Sequence, residues 1–534
     1  MAMTSADAIA ARLAREGCRH AFGMPGGEVL SLMQALSAAG IEFTLCKHEN
    51  NAGFMAEGSW QATGAPGILL ATIGPGIANA VNSIANAFQE QVPLIVLSGC
   101  IDRAEGEGFT HQVFDQSALL APITKATFRV AEGTAAAVIE KAVSIAVADP
   151  PGPVHVDLPH NLADTPVVPA PISATPRSTG VWPEGAELEA ARNLLAKAER
   201  PIVVAGLGAV LHDAGQAIQE FCESRGAPLL TTYKAKGVIP EDHPLCLGGH
   251  GLSPLSDKSV LPLLAASDCV VLAGYDPIEM RSGWCHPWKA ENAIEICHAA
   301  TEHGMHGSAV RFVGNVPASL NLLGQAQKAS VVWPGGEPAT VRSVLADAFA
   351  PRDDWGPHQV FDCLREVLPE EGVLTIDSGA HRILASQMWK SPAPRRVLQS
   401  TCLCTMGVAV PLAAGYKKAS PDTVVAAVVG DAGLEMGVGD LSTLRDQGLN
   451  IIIVVTVDAS LSLIQKKQRA SQLPNLGVEF GETDIVAVAK AFGGNGIWIE
   501  DRETLKAALN SAMQDSKFSI LACRIDKAHY WNAF

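Results

Sequence analysis

Apolar and polar positions follow a steady rhythm along this chain: a short apolar run, a glycine-bearing turn, then apolar residues at helical spacing. Residues 67–72 and 93–98, 201–206 and 269–274, and then 372–376, 423–429 and 450–457 are such runs. Strands covered on both faces read as continuous apolar segments, and the helices between them supply the crossovers that parallel pairing needs. The pattern predicts an α/β protein of three doubly wound parallel-sheet units. Two proline-rich stretches, 166–183 and 333–351, read as linkers, which sets the units at 1–165, 185–330 and 357–534.

Length supports that division. At ~150 residues per domain, 534 residues that are 48% apolar make about three domains, each able to bury a core. The formal charge of −16 argues against a nucleic-acid surface, which needs clustered Lys and Arg. The one short basic run, Lys466-Lys467-Gln468-Arg469, reads as a solvated loop. No apolar run is long enough to predict a membrane-spanning helix. The first fifteen residues read as an alanine-rich helix without the apolar core of a secretory signal. Twelve scattered cysteines fit free thiols in a reducing cytoplasm. Cys285-His286 with Cys297-His298 matches no zinc spacing, and neither does Cys402-x-Cys404, so both read as incidental thiols.

The chemistry concentrates late in the chain. Gly430-Asp431-Ala432-Gly433 follows one predicted strand, a helix-like stretch spans 434–447, and Asp458 ends the next strand, 27 residues after Asp431. Both carboxylates then sit at the carboxyl ends of neighbouring parallel strands, where open α/β sheets bind ligands. Two such oxygen donors suit Mg²⁺, which commonly uses one or two carboxylates plus substrate phosphates. Glycines there let backbone N–H groups approach phosphate closely.

This unit resembles the signature of the thiamine diphosphate enzymes, Gly-Asp-Gly followed some two dozen residues later by Asn-Asn. Ala432 stands at the third glycine and Val457-Asp458 at the Asn pair. Four earlier segments resemble the same family in order: Phe22-Gly23-Met24-Pro25-Gly26, Lys47-His48-Glu49-Asn50-Asn51, Ile73-Gly74-Pro75-Gly76-Ile77-Ala78-Asn79 and Thr110-His111-Gln112. The resemblance implies a pyrimidine-binding, a middle and a diphosphate-binding domain.

It also implies roles. Glu49, just after the predicted strand 41–46, would share a proton with the pyrimidine ring and so activate the cofactor. Such a carboxyl works when desolvated, because burial favours its protonated form. Asp431, Asp458 and Ser460 would hold the metal. Gly26, Gly74, Asn79, Ala380, His381, Met406, Gly430, Asp431, Ala432, Gly433 and Ser460 would contact the cofactor with Glu49, Met406 lying under its bent rings and His381 meeting the diphosphate. His111 and Gln112 would donate hydrogen bonds to a 2-oxo acid and to charge developing as CO₂ leaves.

Within the family, Gly274-Tyr275-Asp276-Pro277-Ile278-Glu279 and Thr110-His111-Gln112 look like the FAD-independent acetolactate synthases, so no flavin is expected. The implied reaction decarboxylates a 2-oxo acid and adds the acyl carbanion to a carbonyl acceptor, in a homodimer or homotetramer whose sites lie between subunits. One departure stands out: after Pro25-Gly26 those enzymes carry a lysine, whereas this chain has Gly27-Glu28. A carboxylate there would repel a pyruvate acceptor. Alternatives are a simple decarboxylase, an acyltransferase of the sulfoacetaldehyde type or a catalytically silent relative. A dinucleotide oxidoreductase would rest on Gly206-Leu207-Gly208-Ala209, but Leu211 breaks the full motif and a structural turn is the better reading.

Overall fold

The computed structural model describes residues 3–108, 110–167, 183–300, 303–326 and 332–534. Three six-stranded, all-parallel sheets follow one another along the chain, flanked by helices, which is the expected α/β architecture. In space the first sheet runs Glu42–Leu45, His20–Met24, Gly67–Ala71, Leu94–Cys100, Val154–Pro159, Ala126–Arg129. The third runs Val397–Gln399, Val373–Ile376, Val425–Gly430, Ile452–Val457, Ser519–Arg524, Asn495–Ile499. Counting strands in chain order within each sheet, both read 2-1-3-4-6-5. The middle sheet, Val310–Val313, Ala293–Cys297, Cys269–Ala273, Pro201–Ala205, Leu229–Thr231, Cys246–Gly249, reads 6-5-4-1-2-3. Each order reverses beside its first strand, and the ligand crevices of open α/β sheets form at such reversals.

Three expectations need correction. The basic run Lys466-Lys467-Gln468-Arg469, expected as a loop, lies in helix Ser462–Ala470. The stretch 333–351 is no open linker: it contains helix Glu337–Ala348, whose Val341 packs on the middle core and whose Leu345 packs on the C-terminal one. Proline and glycine there start the helix at Gly336-Glu337-Pro338 instead of preventing it. The other expected linker falls mostly on 168–182, outside the described residues. The single helix expected at 434–447 is three pieces, Asp431–Met436, the 3-10 turn Val438–Asp440 and Leu441–Asp446. Gly437 and Gly439 interrupt it, and the break turns Asp440 toward the N-terminal unit. Its carboxylate accepts from the Lys47 backbone N–H at 2.7 Å, Asn51 Nδ2 at 2.6 Å and Thr443 Oγ1 at 2.9 Å.

The first and third units share one core. Helix Glu49–Thr63 lies on helix Ala409–Ala419, and Phe54, Met55, Trp60, Leu412 and Tyr416 belong to one buried cluster. Glycines make the crossing close. A Cβ at Gly415 would sit 1.8 Å from the Met55 carbonyl oxygen, and one at Gly58 2.1 Å from that of Leu412. The middle unit joins through Lys234, which pairs with the buried Glu90, while Glu90 Oε1 accepts from the backbone N–H groups of Thr401 (2.7 Å) and Cys402 (2.8 Å). Among the described residues, no helix is long and apolar enough to cross a membrane.

The glycine crossing predicts a sharp mutational response. Overpacking a core typically costs ~1–3 kcal/mol, and a backbone carbonyl cannot rotate away as a side chain can. Gly415→Ala should therefore lose stability at the upper end of that range, read as a lower melting temperature. An unchanged melt would show that the two helices do not meet this closely.

Candidate active site

The C-terminal sheet opens a cavity of roughly 200 Å³ at its reversal point, between the ends of strands Val373–Ile376 and Val425–Gly430. Its walls bring together most residues singled out from the sequence: Ala380, His381, Met406, Gly430, Asp431, Ala432, Gly433, Asp458 and Ser460. Ser378, Thr456 and Tyr530 complete it. Helix Ala380–Met388 begins at the cavity behind Gly379, and no side chain caps its first N–H groups. Uncapped amides of this kind are ready anion donors. Two buried polar atoms on the wall, Ser378 Oγ and His381 Nε2, have no hydrogen-bond partner. Burial, aided by the Arg382 charge, pulls His381 down to about 4, so its ring is neutral. A free ring nitrogen and a free hydroxyl on one wall match a polar ligand.

The two carboxylates are held rigidly. Strand register sets Gly430 opposite Thr456, so Asp431 and Asp458 leave adjacent strand ends. Asp431 Oδ2 accepts from the backbone N–H groups of Asp458 (3.1 Å) and Ala459 (2.7 Å), and Oδ1 from that of Ala432 (2.9 Å). Asp458 accepts from the Ser462 hydroxyl and from the Ser460 N–H. Between them Ala459 holds φ +50°, a left-handed conformation that a non-glycine residue adopts rarely and that clusters at functional sites. Burial pushes both carboxyls up, Asp458 to about 7 with the Asp431 charge adding to the rise. A divalent cation between them would relieve that repulsion, so the donor set fits one. Ser460 lines the cavity, but its hydroxyl donates to Gln465 Oε1 at 3.1 Å.

The same geometry explains the motif's departure. Ala432 lies in helix Asp431–Met436, a backbone that alanine adopts freely. Gly433 is the constrained position: a Cβ there would meet Asp377 Oδ2 at 2.1 Å. Asp377, missed from sequence, is fully buried and accepts from the N–H groups of Gly407 (3.0 Å) and Val408 (2.9 Å). Burial pushes it up to about 6, with those N–H groups opposing. It fixes the Met406-Gly407 turn against the glycine-bearing helix. A lone Asp after a strand carries no pattern, and the signal for it is the pair of glycines that make room.

At the reversal point of the N-terminal sheet, Gly26, Thr72, Gly74, Gly76, Asn79, Glu28 and Glu49 cluster. Glu49 is 4% exposed, at the start of helix Glu49–Thr63, and its Oε2 accepts from Asn79 Nδ2 at 3.0 Å. Gly76 passes close to Glu49 Oε1, and a Cβ at Gly74 (φ +70°) would strike the Gln112 carbonyl at 2.6 Å. Glu28 is half-buried and accepts from Thr72 Oγ1 at 2.7 Å. His111 and Gln112 are exposed. Glu49, His111 and Gln112 do not line the C-terminal cavity of their own chain.

The middle sheet's reversal point is different. A Cβ at Gly206 would sit 2.6 Å from the Gly274 carbonyl, and one at Gly274 2.3 Å from the Ala209 nitrogen. These glycines pack two turns against each other. Of the Cys-His pairs, His298 alone joins a group: with His212 it flanks Asp149, Nε2 to carboxylate at 2.9 and 3.2 Å. The two imidazoles stack 3.6 Å apart and nearly parallel, so their in-plane lone pairs do not converge on one ion.

Comparison with known proteins agrees with this geometry. Three family descriptions match the chain: the thiamine pyrophosphate enzyme N-terminal TPP binding domain over residues 3–119, the central domain over 188–323 and the C-terminal TPP binding domain over 377–523. A catabolic acetolactate synthase of Raoultella terrigena is 27% identical, covering 98% of this chain and 95% of its own. An acetolactate synthase of Bacillus subtilis is 27% identical over 95% of this chain and 90% of its own. A protein named probable 2-ketoarginine decarboxylase, from Pseudomonas aeruginosa, is 27% identical over 98% and 94%.

Asp458 makes stability depend on pH. An ordinary Asp titrates near ~3.9, so between that value and about 7 the folded protein keeps a proton that the unfolded chain gives up. The group's stabilisation is complete below about 4 and is lost as pH rises through about 7. For metal-free protein, melting temperature against pH should fall more steeply in the wild type than in Asp458→Asn across this window. Parallel profiles would refute the shift.

Proposed function

The chain belongs to the thiamine pyrophosphate enzymes, and on that premise we propose a thiamine diphosphate- and Mg²⁺-dependent enzyme that decarboxylates a 2-oxo acid and passes the acyl unit to a second carbonyl, in the manner of an acetolactate synthase. The observation that carries this is the C-terminal cavity, where two metal-suited carboxylates face uncapped helix amides and the unpartnered Ser378 and His381. When bound, thiamine diphosphate would supply a carbon nucleophile and a sink for the electron pair released with CO₂. Ser378, His381 and the Gly379–Ala380 turn would hold the diphosphate. Asp431 and Asp458 would hold the Mg²⁺ that offsets its charge, and Met406 would supply an apolar contact for the rings.

Glu49 holds the proton that activates the pyrimidine, with Asn79 orienting its carboxyl. At roughly 200 Å³ the cavity suits a diphosphate and ion better than a whole two-ring cofactor, and Glu49 lies outside its walls. A second copy of the chain presenting Glu49 across an interface completes the site, which makes a homodimer the minimum unit and a homotetramer a natural assembly. Twelve free cysteines, most of them buried, suit a reducing compartment such as the cytoplasm.

Glu28 sets the choice of substrate. Its carboxylate hangs from Thr72 in the cluster that holds Glu49, so an anionic acceptor meets like charge. At ~4 Å and an effective dielectric of about 20 that repulsion is about 4 kcal/mol. A neutral aldehyde, or a 2-oxo acid with a cationic tail like the one named for the Pseudomonas relative, meets no such penalty. The decarboxylase reading therefore stands second, favoured by Glu28.

Three measurements test this. Glu49→Gln should keep fold and cofactor binding while slowing turnover ~10²–10⁴-fold, the usual worth of a general acid–base group; near wild-type turnover removes Glu49 from its role. Asp431→Ala should abolish metal-dependent retention of thiamine diphosphate, and EDTA followed by desalting should strip it from the wild type. Retention after both treatments sinks the metal assignment. A panel of neutral, anionic and cationic 2-oxo acids, assayed for CO₂ release with and without added aldehydes, should show slow pyruvate self-condensation that Glu28→Lys accelerates. Rapid acetolactate formation, unchanged by that substitution, restores the plain acetolactate synthase reading.

A further inference from the structure

A larger cavity, roughly 380 Å³, lies between the middle and C-terminal units, away from every residue assigned above. Its floor is the edge strand Cys246–Gly249 of the middle sheet. Its walls are helix Glu337–Ala348, helix Pro357–Val367 and the end of helix Ala380–Met388. The volume falls within the range of small-molecule sites. Four cationic side chains reach it, Lys236, Arg342, Arg365 and Lys390, against the carboxylates of Glu241 and Asp362.

The pairing inside this set leaves positive charge over. Lys236 Nζ is held by both oxygens of Glu241 at 2.9 Å, and Asp362 is taken by Arg502 at 2.6 Å. Arg342 and Arg365 spend one N–H each on backbone carbonyls, those of Asp242 and Leu368, both at 2.8 Å. Among the described residues, neither guanidinium has a carboxylate within salt-bridge distance. Arg365 also lies over Trp389, its guanidinium carbon 4.5 Å from the ring centre. Trp389 is 2% exposed, and its indole N–H has no acceptor. Leu247, Phe349, Phe361 and Met388 supply an apolar lining beside these donors.

Guanidinium forks without a carboxylate in salt-bridge contact, a buried N–H and aromatic walls share one complement. We propose that this cavity binds a small organic anion, a carboxylate or phosphate carrying an apolar or aromatic body, with Arg342 and Arg365 gripping the anionic group and Trp389 donating to it. Helix Ala380–Met388 carries the consequence. It starts at Ala380 and His381 in the diphosphate cavity and ends at Gln387 and Met388 here, so the ligand acts on cofactor affinity through one rigid element. The coupling rests on the thiamine diphosphate reading; the binding does not.

Phenyl phosphate is a suitable probe, titrated calorimetrically into holoenzyme saturated with thiamine diphosphate and Mg²⁺ so that the first cavity is filled. It should bind at millimolar concentration or tighter, whereas neutral benzyl alcohol should not. Arg365→Gln and Arg342→Gln should each weaken binding about ten-fold, the effect of losing one charge-assisted contact. Trp389→Phe, which keeps the ring and removes the N–H, should weaken it less, with far-UV circular dichroism unchanged in all three. By reciprocity, phenyl phosphate should also shift the apparent Kd for thiamine diphosphate in the wild type but not in Arg365→Gln. Absence of binding, or an affinity indifferent to both arginine variants, overturns the site. Binding that leaves cofactor affinity untouched overturns the coupling. Protein that retains no thiamine diphosphate fails the functional reading alone, since the arginine variants still report on this cavity.

Discussion

The structure depends on how closely helix Glu49–Thr63 crosses helix Ala409–Ala419. Gly58 and Gly415 let each backbone touch the other, and a side chain at either position would collide with a main-chain oxygen. That contact welds the first and third units into one core. It also fixes Glu49, at the first position of the crossing helix, relative to the sheet that carries Asp431 and Asp458. Because packed interiors resist deformation, two clusters built on different sheets keep a set geometry. The ties around Asp440 reinforce the same junction, and the Glu90–Lys234 pair extends it to the middle unit.

The sheets were legible because their information is local. Each strand is an apolar run with a turn after it, and the reversal points follow from strand order once the sheets form. The Asp431–Asp458 spacing was readable for the same reason: one strand, one helical excursion and one strand bring both carboxylates to a common edge. What stayed hidden is long-range. Asp440 looks like one polar residue in an amphipathic stretch until Lys47 and Asn51 arrive from nearly four hundred residues away. Asp377 accepts from the N–H groups of Gly407 and Val408, some thirty residues on, and helix Glu337–Ala348 was masked by the prolines and glycines that start it.

Glu28 shows where residue type ends and placement begins. A glutamate on a first helical turn is ordinarily a solvated complement to the helix dipole. Here Thr72 Oγ1 donates to it, which draws the half-buried carboxylate toward the end of the sheet where Gly76 passes Glu49. Burial at Glu57 and Glu279, each pushed up to about 7, makes a different point. Both belong to the junction of the three units, with Glu57 accepting from Asn86 and Glu279 from the Lys234 backbone N–H. A buried, shifted carboxyl is therefore as much a mark of an interdomain seam as of catalysis.

Three glycine-bearing turns at three reversal points have three different reasons. In the C-terminal sheet, Gly433 makes room for a carboxylate that braces an open cavity. In the N-terminal sheet, Gly26 yields to Thr72 and Gly74 to the Gln112 backbone, which brings Glu28, Glu49 and the exposed His111–Gln112 loop to one rim. In the middle sheet, Gly206 yields to the backbone of Gly274 and Tyr275, and Gly274 to that of Gly208 and Ala209. Sequence treats the three alike, since all supply a turn that a larger residue would obstruct. The discriminating fact is what occupies the space of the missing Cβ. Where it is a carboxylate brace or an active-site wall, the turn serves a ligand; where it is another turn, the glycine serves packing. That distinction separates the turns of the first and third sheets, where the candidate site residues gather, from the turn that packs the middle sheet on itself.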